Sequence, residues 1–226
     1  YAEERLSFSE VHRRANQIAT VLVNKYGVGK GDRVAISMRN YPEWVLGYWA
    51  TLKLGAAAVG LNAWWTGPEM EFGLADSSPR ALLCDAERLE RIAPYLDALR
   101  SDGSMHVVGV RLGPDAGLPV DAVRWEDAVA GADDLPVAPM ADIGPEDDLC
   151  IFYTSGTTGN PKGVQVTHLM YVAAGQGFAH WTEATPDDRF FTCLPYFHAN
   201  VQYYSTMGAM AAGSTLVVAD RFSASR

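Results

Sequence analysis

Between Tyr153 and Val164 the sequence runs Thr154-Ser155-Gly156-Thr157-Thr158-Gly159-Asn160-Pro161-Lys162-Gly163, which places four hydroxyl side chains, three glycines and one lysine in ten residues. Glycine lets backbone N–H groups turn inward and approach an anion closely, Ser and Thr hydroxyls add donors, and Lys162 adds a full positive charge. The loop follows Cys150-Ile151-Phe152-Tyr153, an apolar run that reads as a buried strand. Open α/β sheets take their ligands at the ends of such strands. The combination suits a polyphosphate. It is not the Walker A arrangement, because Lys162 follows Pro161 instead of glycine and precedes Gly163 instead of Ser or Thr; ordinary kinases and GTPases are thereby disfavoured. The competing reading is a flexible surface linker rich in Ser, Thr and Gly. Pro161-Lys162 and the apolar strand ahead of the loop argue against it.

A second constellation is Leu194-Pro195-Tyr196-Phe197-His198-Ala199-Asn200, which sets two aromatics and a histidine after another apolar run. On residue types alone, a single histidine at a strand end reads as a hydrogen-bonded structural group. The small residues from Met207 to Gly213 read as a helix lying close to a sheet rather than the lining of an acyl channel. His12, His106, His168 and His180 have no supporting motif. No cluster of His, Cys and acids has metal-ligand spacing, so no metal site is expected.

The twelve residues Tyr153 to Val164 resemble the signature loop of the adenylate-forming (AMP-binding) superfamily and match every fixed position of it. That superfamily includes acyl-CoA and aryl-CoA synthetases, the adenylation domains of nonribosomal peptide synthetases, and firefly luciferases. Asp32-Arg33-Val34-Ala35-Ile36, the stretch from Leu52 to Leu61, and Pro145-Glu146-Asp147-Asp148 resemble further landmarks in the family's order, so the resemblance covers nearly all of the chain. It implies that Thr154, Ser155, Gly156, Thr157, Thr158, Gly159 and Lys162 hold the β- and γ-phosphates of ATP. It also implies that His198 borders the acyl pocket, shaping the carboxylate's path and contacting the adenylate.

The implied activity is that of an AMP-forming acid–thiol ligase, an acyl-CoA synthetase. ATP activates a carboxylic acid as an acyl-adenylate, with Mg²⁺ beside the phosphates, and coenzyme A then takes the acyl group as a thioester. Two alternatives stand beside it: an amino-acid adenylation domain of a peptide synthetase, and a non-catalytic nucleotide-binding module. The Pro195-to-His198 segment favours the free-standing ligase. The family's adenine segment, ribose aspartate, hinge and C-terminal domain have no counterpart in this sequence. The adenylation lysine is therefore expected beyond residue 226, no catalytic residue is expected within the chain, and the chain by itself is expected to be an inactive N-terminal portion.

Short, continuously apolar runs alternate with amphipathic segments, the pattern of a parallel sheet whose strands hide both faces beneath helices. The fold class is α/β. Ser7 with Glu10 predicts a capping box for a helix whose Val11, Ala15, Ile18, Ala19, Leu22 and Val23 recur at helical spacing and which stops at Gly27. Arg33 to Ser37 reads as a strand, and Asn40 with Glu43 as the cap of a helix carrying the stripe Tyr41, Val45, Trp49 and Leu52. Ala57 to Leu61 is the next strand, and Thr66 with Glu69 caps a helix ending near Asp76. Ala81 to Cys84 is a further strand, Asp85 caps a helix that Pro94 bends, and His106 to Val110 is a strand. Thr167 caps a helix running toward His180. Phe190 to Leu194 and Ser214 to Ala219 read as two strands around the helix Met207 to Ala212. These elements divide into a first α/β lobe, residues 1–165, ending in the phosphate loop, and the beginning of a second, residues 166–226.

The chain has 226 residues, 48% of them hydrophobic, and a formal charge of −9. Ten acids and one base, Arg124, fall between Leu112 and Asp148, leaving 17 acids against 17 bases elsewhere. That segment reads as an acidic, solvated excursion. The balanced remainder offers nucleic acid no basic patch. No apolar run is long enough for a membrane span, and the start Tyr1-Ala2-Glu3-Glu4-Arg5 is no signal peptide. Cys84, Cys150 and Cys193 sit in apolar runs and read as reduced core residues, which fits a soluble cytoplasmic protein. Nothing in the sequence addresses its oligomeric state.

Overall fold

The structure is a computed structural model and describes residues 4–100, 105–119, 121–154 and 159–219. Helix α1 (Phe8–Tyr26) begins where the Ser7 hydroxyl accepts the Glu10 backbone N–H. The Glu10 carboxylate turns to Arg13 and Arg14 instead of back to the cap, so only half of the expected box forms. The helix ends at Gly27 in the left-handed conformation, with φ 63°. Strand β1 (Arg33–Ser37) follows, then α2 (Pro42–Lys53), β2 (Ala57–Gly60) and α3 (Gly67–Ser77). At the start of α3 the Thr66–Glu69 capping box is complete.

Asn40 and Glu43 do not cap α2. Tyr41 is the cap residue, without a side-chain bond, and Pro42 supplies the preset first turn. Asn40 is occupied elsewhere, and Glu43 accepts from Arg111 Nε at 2.9 Å. The buried side of α2 carries Trp44, Leu46, Tyr48, Ala50, Thr51 and Leu52, whereas Tyr41, Val45 and Trp49 are only partly buried. A single-stripe reading fails because α2 is enclosed: α1 lies on one side of it, the sheet beneath, and a later helix beyond Trp49.

Strand β3 (Ala81–Asp85) leads into α4 (Ala86–Ile92), capped by the Asp85 side chain. Pro94 breaks the helix into a 3₁₀ turn at Ala93–Tyr95 before the short α5 (Leu96–Leu99). After β4 (His106–Val110) the acidic segment folds back as β5 (Ala122–Arg124) and α6 (Trp125–Val129). It is thus not wholly solvated. Strand β5 pairs with β4, Trp125, Ala128, Ala132 and Ala138 are buried, and Lys25 Nζ donates to the Ala128 carbonyl at 2.8 Å. The acids face outward while the alanines and Trp125 join the core, a division that counting charges cannot see.

The long strand β6 (Asp148–Thr154) forms a hairpin with β7 (Lys162–Thr167), and Thr167 then caps α7 (His168–Trp181). The main sheet runs β5-β4-β3-β1-β2-β6-β7. All its pairings are parallel except β6 with β7, so a mixed edge closes an otherwise parallel sheet. Alternate residues feed two cores. Val34, Ile36, Ala58 and Leu83 face α1, α2, α6 and α7, while Ala35, Val59, Leu82 and Cys84 face α3, α4 and α5. Strand β8 (Arg189–Thr192) pairs in parallel with β9 (Thr215–Val218) in a separate two-stranded sheet. Between them a π-helix (Val201–Thr206) runs directly into α8 (Met207–Ala212). Among the described residues no helix is long and apolar enough to cross a membrane.

Candidate active site

In an open parallel sheet the ligand crevice lies where neighbouring strands send their connections to opposite faces. Here β1 leaves toward α2 on one face and its neighbour β3 leaves toward α4 on the other. That crevice is filled by protein. Asp85, at the end of β3, accepts the Arg39 backbone N–H with Oδ2 and the Arg88 guanidinium with both oxygens, at 3.0 and 3.1 Å. Arg88 is 1% exposed, and its Nε donates to the Ala63 carbonyl at 2.7 Å. A buried pair of this kind locks the loops after β1, β2 and β3 together. Beside it, at the ends of β2 and β6, stands the glycine-rich loop.

At that edge the hairpin brings Thr154 and Lys162 opposite each other, and the Thr154 hydroxyl lies 3.4 Å from the Lys162 carbonyl oxygen. The two ends of the glycine-rich loop are thus joined at a neck, and residues 155–161 span it. Gly159 and Lys162 are exposed, and Lys162 makes no ion pair among the described residues. Ser155, Gly156, Thr157 and Thr158 lie outside the described residues. The parallel strand below the loop was legible in the sequence, but the return strand β7 was not. Lys162-Gly163-Val164-Gln165-Val166-Thr167 alternates weakly and sits exposed at the sheet edge. Beneath the neck, Tyr153 donates to Asp76 at 2.6 Å and meets Trp65 edge-on, which fixes the end of β6 against α3. Burial, and then Asp76, push the Tyr153 hydroxyl well above its ordinary pKa, so it remains a donor.

His198 reaches the same edge from the second sheet. The turn that carries it has Tyr196 stacked on Trp44 at 5.1 Å, and Phe197 lies against Gly60 so closely that a Cβ there would meet the Phe197 Cα at 3.3 Å. Gly60 pairs with Phe152, and Thr154 lies two residues farther along β6, about 7 Å away along the strand. The histidine turn and the loop neck are therefore neighbours. His198 is exposed, its ring 4.8 Å from that of Phe197, and partial burial holds its pKa below the usual histidine value. The shift favours the neutral imidazole.

Asn40, whose position in the sequence reads as a helix cap, and Gln202 hold this turn in place. Asn40, 8% exposed, donates to the Leu194 and Ala219 carbonyls at 3.0 Å and accepts the Tyr196 N–H at 2.9 Å. Gln202, on the π-helix, donates to the Tyr196 carbonyl at 2.9 Å and accepts the Tyr171 hydroxyl at 3.3 Å. Asn40 stands directly after β1, where a polar group facing an unseen element is indistinguishable from a helix cap. The tandem Trp64-Trp65 and the Asp85-x-x-Arg88 spacing were the other signals in the sequence, and neither points to a partner without the fold.

A sequence model described as AMP-binding enzyme matches residues 1–226. The chain belongs to the AMP-binding enzyme family. A long-chain-fatty-acid–CoA ligase of Mycobacterium tuberculosis is 33% identical over 98% of this chain and 41% of its own length. A crotonobetaine/carnitine–CoA ligase of Salmonella agona is 30% identical, covering 97% of this chain and 42% of its own. Among solved structures, an anthranilate CoA ligase in complex with anthranoyl-AMP superposes with a TM-score of 0.83 at 27% identity, covering 98% of this chain and 41% of that one. ATP-bound MatB from Rhodopseudomonas palustris superposes at 0.81 with 28% identity and the same two coverages. This AMP-binding chain thus spans about two fifths of the length of the relatives it matches. Its α/β fold and its mainly parallel seven-stranded sheet are those of the N-terminal parts of adenylate-forming enzymes.

Proposed function

We propose that this chain is the nucleotide- and acyl-facing N-terminal portion of an AMP-forming acyl-CoA ligase. The observation that carries the reading is the meeting, at one sheet edge, of the neck Thr154/Lys162 with the Phe197–His198 turn. In this reading the loop hydroxyls, its backbone N–H groups and Lys162 hold the β- and γ-phosphates of ATP, leaving the α-phosphorus toward His198. A carboxylate oxygen attacks that phosphorus, a C(O)O–P bond forms, and the bond to the β-phosphate oxygen breaks to release pyrophosphate. The thiolate of CoA then attacks the acyl carbon and AMP leaves. In its neutral form His198 can donate or accept a hydrogen bond at the acyl-adenylate without adding charge.

Among the described residues no group of three or more His, Cys, Asp and Glu could hold a metal ion. Mg²⁺ would enter with ATP as the counter-ion of its phosphates and would neutralise charge there. The names of the fatty-acid, crotonobetaine/carnitine and anthranilate CoA ligases among the relatives support CoA as the acceptor, and three free cysteines support a reducing, cytoplasmic setting. The test is ATP-dependent pyrophosphate release by the full-length protein with a series of carboxylates, followed by thioester formation with CoA. Thioester formation excludes the non-catalytic reading. Activation of amino acids alone, with no transfer to CoA, would favour the peptide-synthetase alternative and overturn the ligase. Residues 1–226 purified alone are expected to release no pyrophosphate.

A further inference from the structure

Beyond the loop and His198, the edge presents one aromatic that neither accounts for. Trp64 is 56% exposed, yet the backbone on both sides of it is hydrogen-bonded to side chains. Its backbone N–H donates to Asn62 Oδ1 at 2.9 Å. The preceding carbonyl, that of Ala63, accepts from both Arg88 Nε and Arg91 Nη1, and the Trp65 carbonyl accepts from Arg91 as well. Trp65 is buried against Tyr153, directly below the loop neck. A single surface tryptophan ordinarily needs no explanation. A tryptophan whose loop is fixed by a fully buried arginine is different, because burying a guanidinium is costly and here it orders a loop whose tip is an outward-facing ring. That ring meets Phe197 edge-on at 5.3 Å, and Phe197 in turn abuts His198. Trp64 and the exposed His198 thus flank Phe197, which is itself only 5% exposed, and the three rings form one chain of contacts beside the loop neck.

We propose that Trp64 contacts substrate, its indole face taking the apolar or flat aromatic part of a ligand that lies beyond the ATP phosphates. The inference rests on the ligase reading above. Two ligands of that reaction carry such a group: the acid, through its acyl body, and the thiol, through its pantetheine arm and nucleobase. The full-length protein is assayed as wild type, Trp64→Ala, Trp64→Gln and Trp64→Phe. The acids are straight-chain carboxylates from acetate to palmitate together with benzoate, and CoA is the thiol. Loss of one aromatic stacking contact predicts a rise of about five- to tenfold in KM for one of the two ligands in the Ala and Gln variants. The Phe variant should stay within about twofold of wild type, KM for ATP should not move, and the thermal midpoint should be unchanged. A rise for the acid identifies the acyl body as the occupant, and a rise for CoA identifies the thiol. Unchanged KM values for both, a change confined to ATP, or a fall in thermal midpoint that Phe rescues without any KM effect would overturn the proposal. If wild type forms neither pyrophosphate nor thioester with any acid, the ligase reading itself falls and takes this inference with it. Should Ala fail to fold, Gln, which keeps a polar side chain at an exposed position, carries the measurement.

Discussion

Individual side chains at this edge divide into those that face a ligand and those that hold the others still. Lys162 is exposed and spans no ion pair among the described residues, so its charge is available to an anion. Replacing it with Ala in the full-length protein should lower kcat/KM for ATP about a hundredfold, the scale of losing one preorganised charged donor, with no change in thermal midpoint. An unchanged kcat/KM would remove Lys162 from the phosphate site. Asn40 is of the second kind. Asn40→Ala leaves the Tyr196 N–H and two carbonyls without their partner and should cost about 2–4 kcal/mol in denaturant unfolding. It should also loosen the Phe197–His198 turn. A cost below about 0.5 kcal/mol would mean that water replaces the amide without loss.

Elements reach the edge by local rules that the sequence states openly and by long-range ones that it does not. The Thr66–Glu69 box starts α3, and Thr66→Ala should cost about 1 kcal/mol. Asp85 caps α4 as its position in the sequence implies, but its larger task is the pairing with Arg88 across the β1–β3 crevice. Arg88→Met should destabilise by about 3–5 kcal/mol, because the Asp85 carboxylate would stay buried without its partner. The double variant Asp85→Leu/Arg88→Met should recover much of that loss. Equal costs in the single and double variants, read from urea midpoints, would contradict the role given to the pair. Of the elements, most parallel strands were legible because they run continuously apolar, and most helices because apolar residues recur in them at helical spacing. Strand β7, β5 and the π-helix were not, since each is short or exposed and is specified by the strand or helix it meets.

Across the whole molecule the charges set a direction for stability with pH. Partial burial lowers the pKa of His106, His168 and His198; around His106 stand Arg100 and Arg80, and around His168 stand Asp147 and Lys30. The unfolded chain therefore binds protons at these sites first, and stability should begin to fall as pH drops below the ordinary histidine value of 6.5. Carboxylates act lower down. Hydrogen bonds from Arg13 and Arg14 hold Glu10 at about 2, Lys30 and the Gly144 N–H lower Asp147, and the Thr185 backbone and hydroxyl lower Asp188. Groups of this kind stabilise above the ordinary carboxylate pKa and lose their effect as pH falls through the folded value. Thermal midpoints measured from pH 8 to pH 3 should decline in two stages, starting near pH 6.5 and again near pH 4. A midpoint that rises on acidification would contradict these assignments. The buried thiols of Cys84 and Cys150, pushed well up by burial, should react with a maleimide only after unfolding.

The sequence by itself determined the fold class, the position of most strands and helices, and the loop from Thr154 to Gly163, because apolar runs, capping residues and a dense donor set are local patterns. The tertiary structure alone decided that the loop closes a hairpin, that Asn40 serves a distant turn instead of its own helix, and that Trp64, Phe197 and His198 share an edge. Those outcomes depend on which strands become neighbours. Strand order follows from the summed burial of two faces of a seven-stranded sheet, and no window of adjacent residues contains that sum.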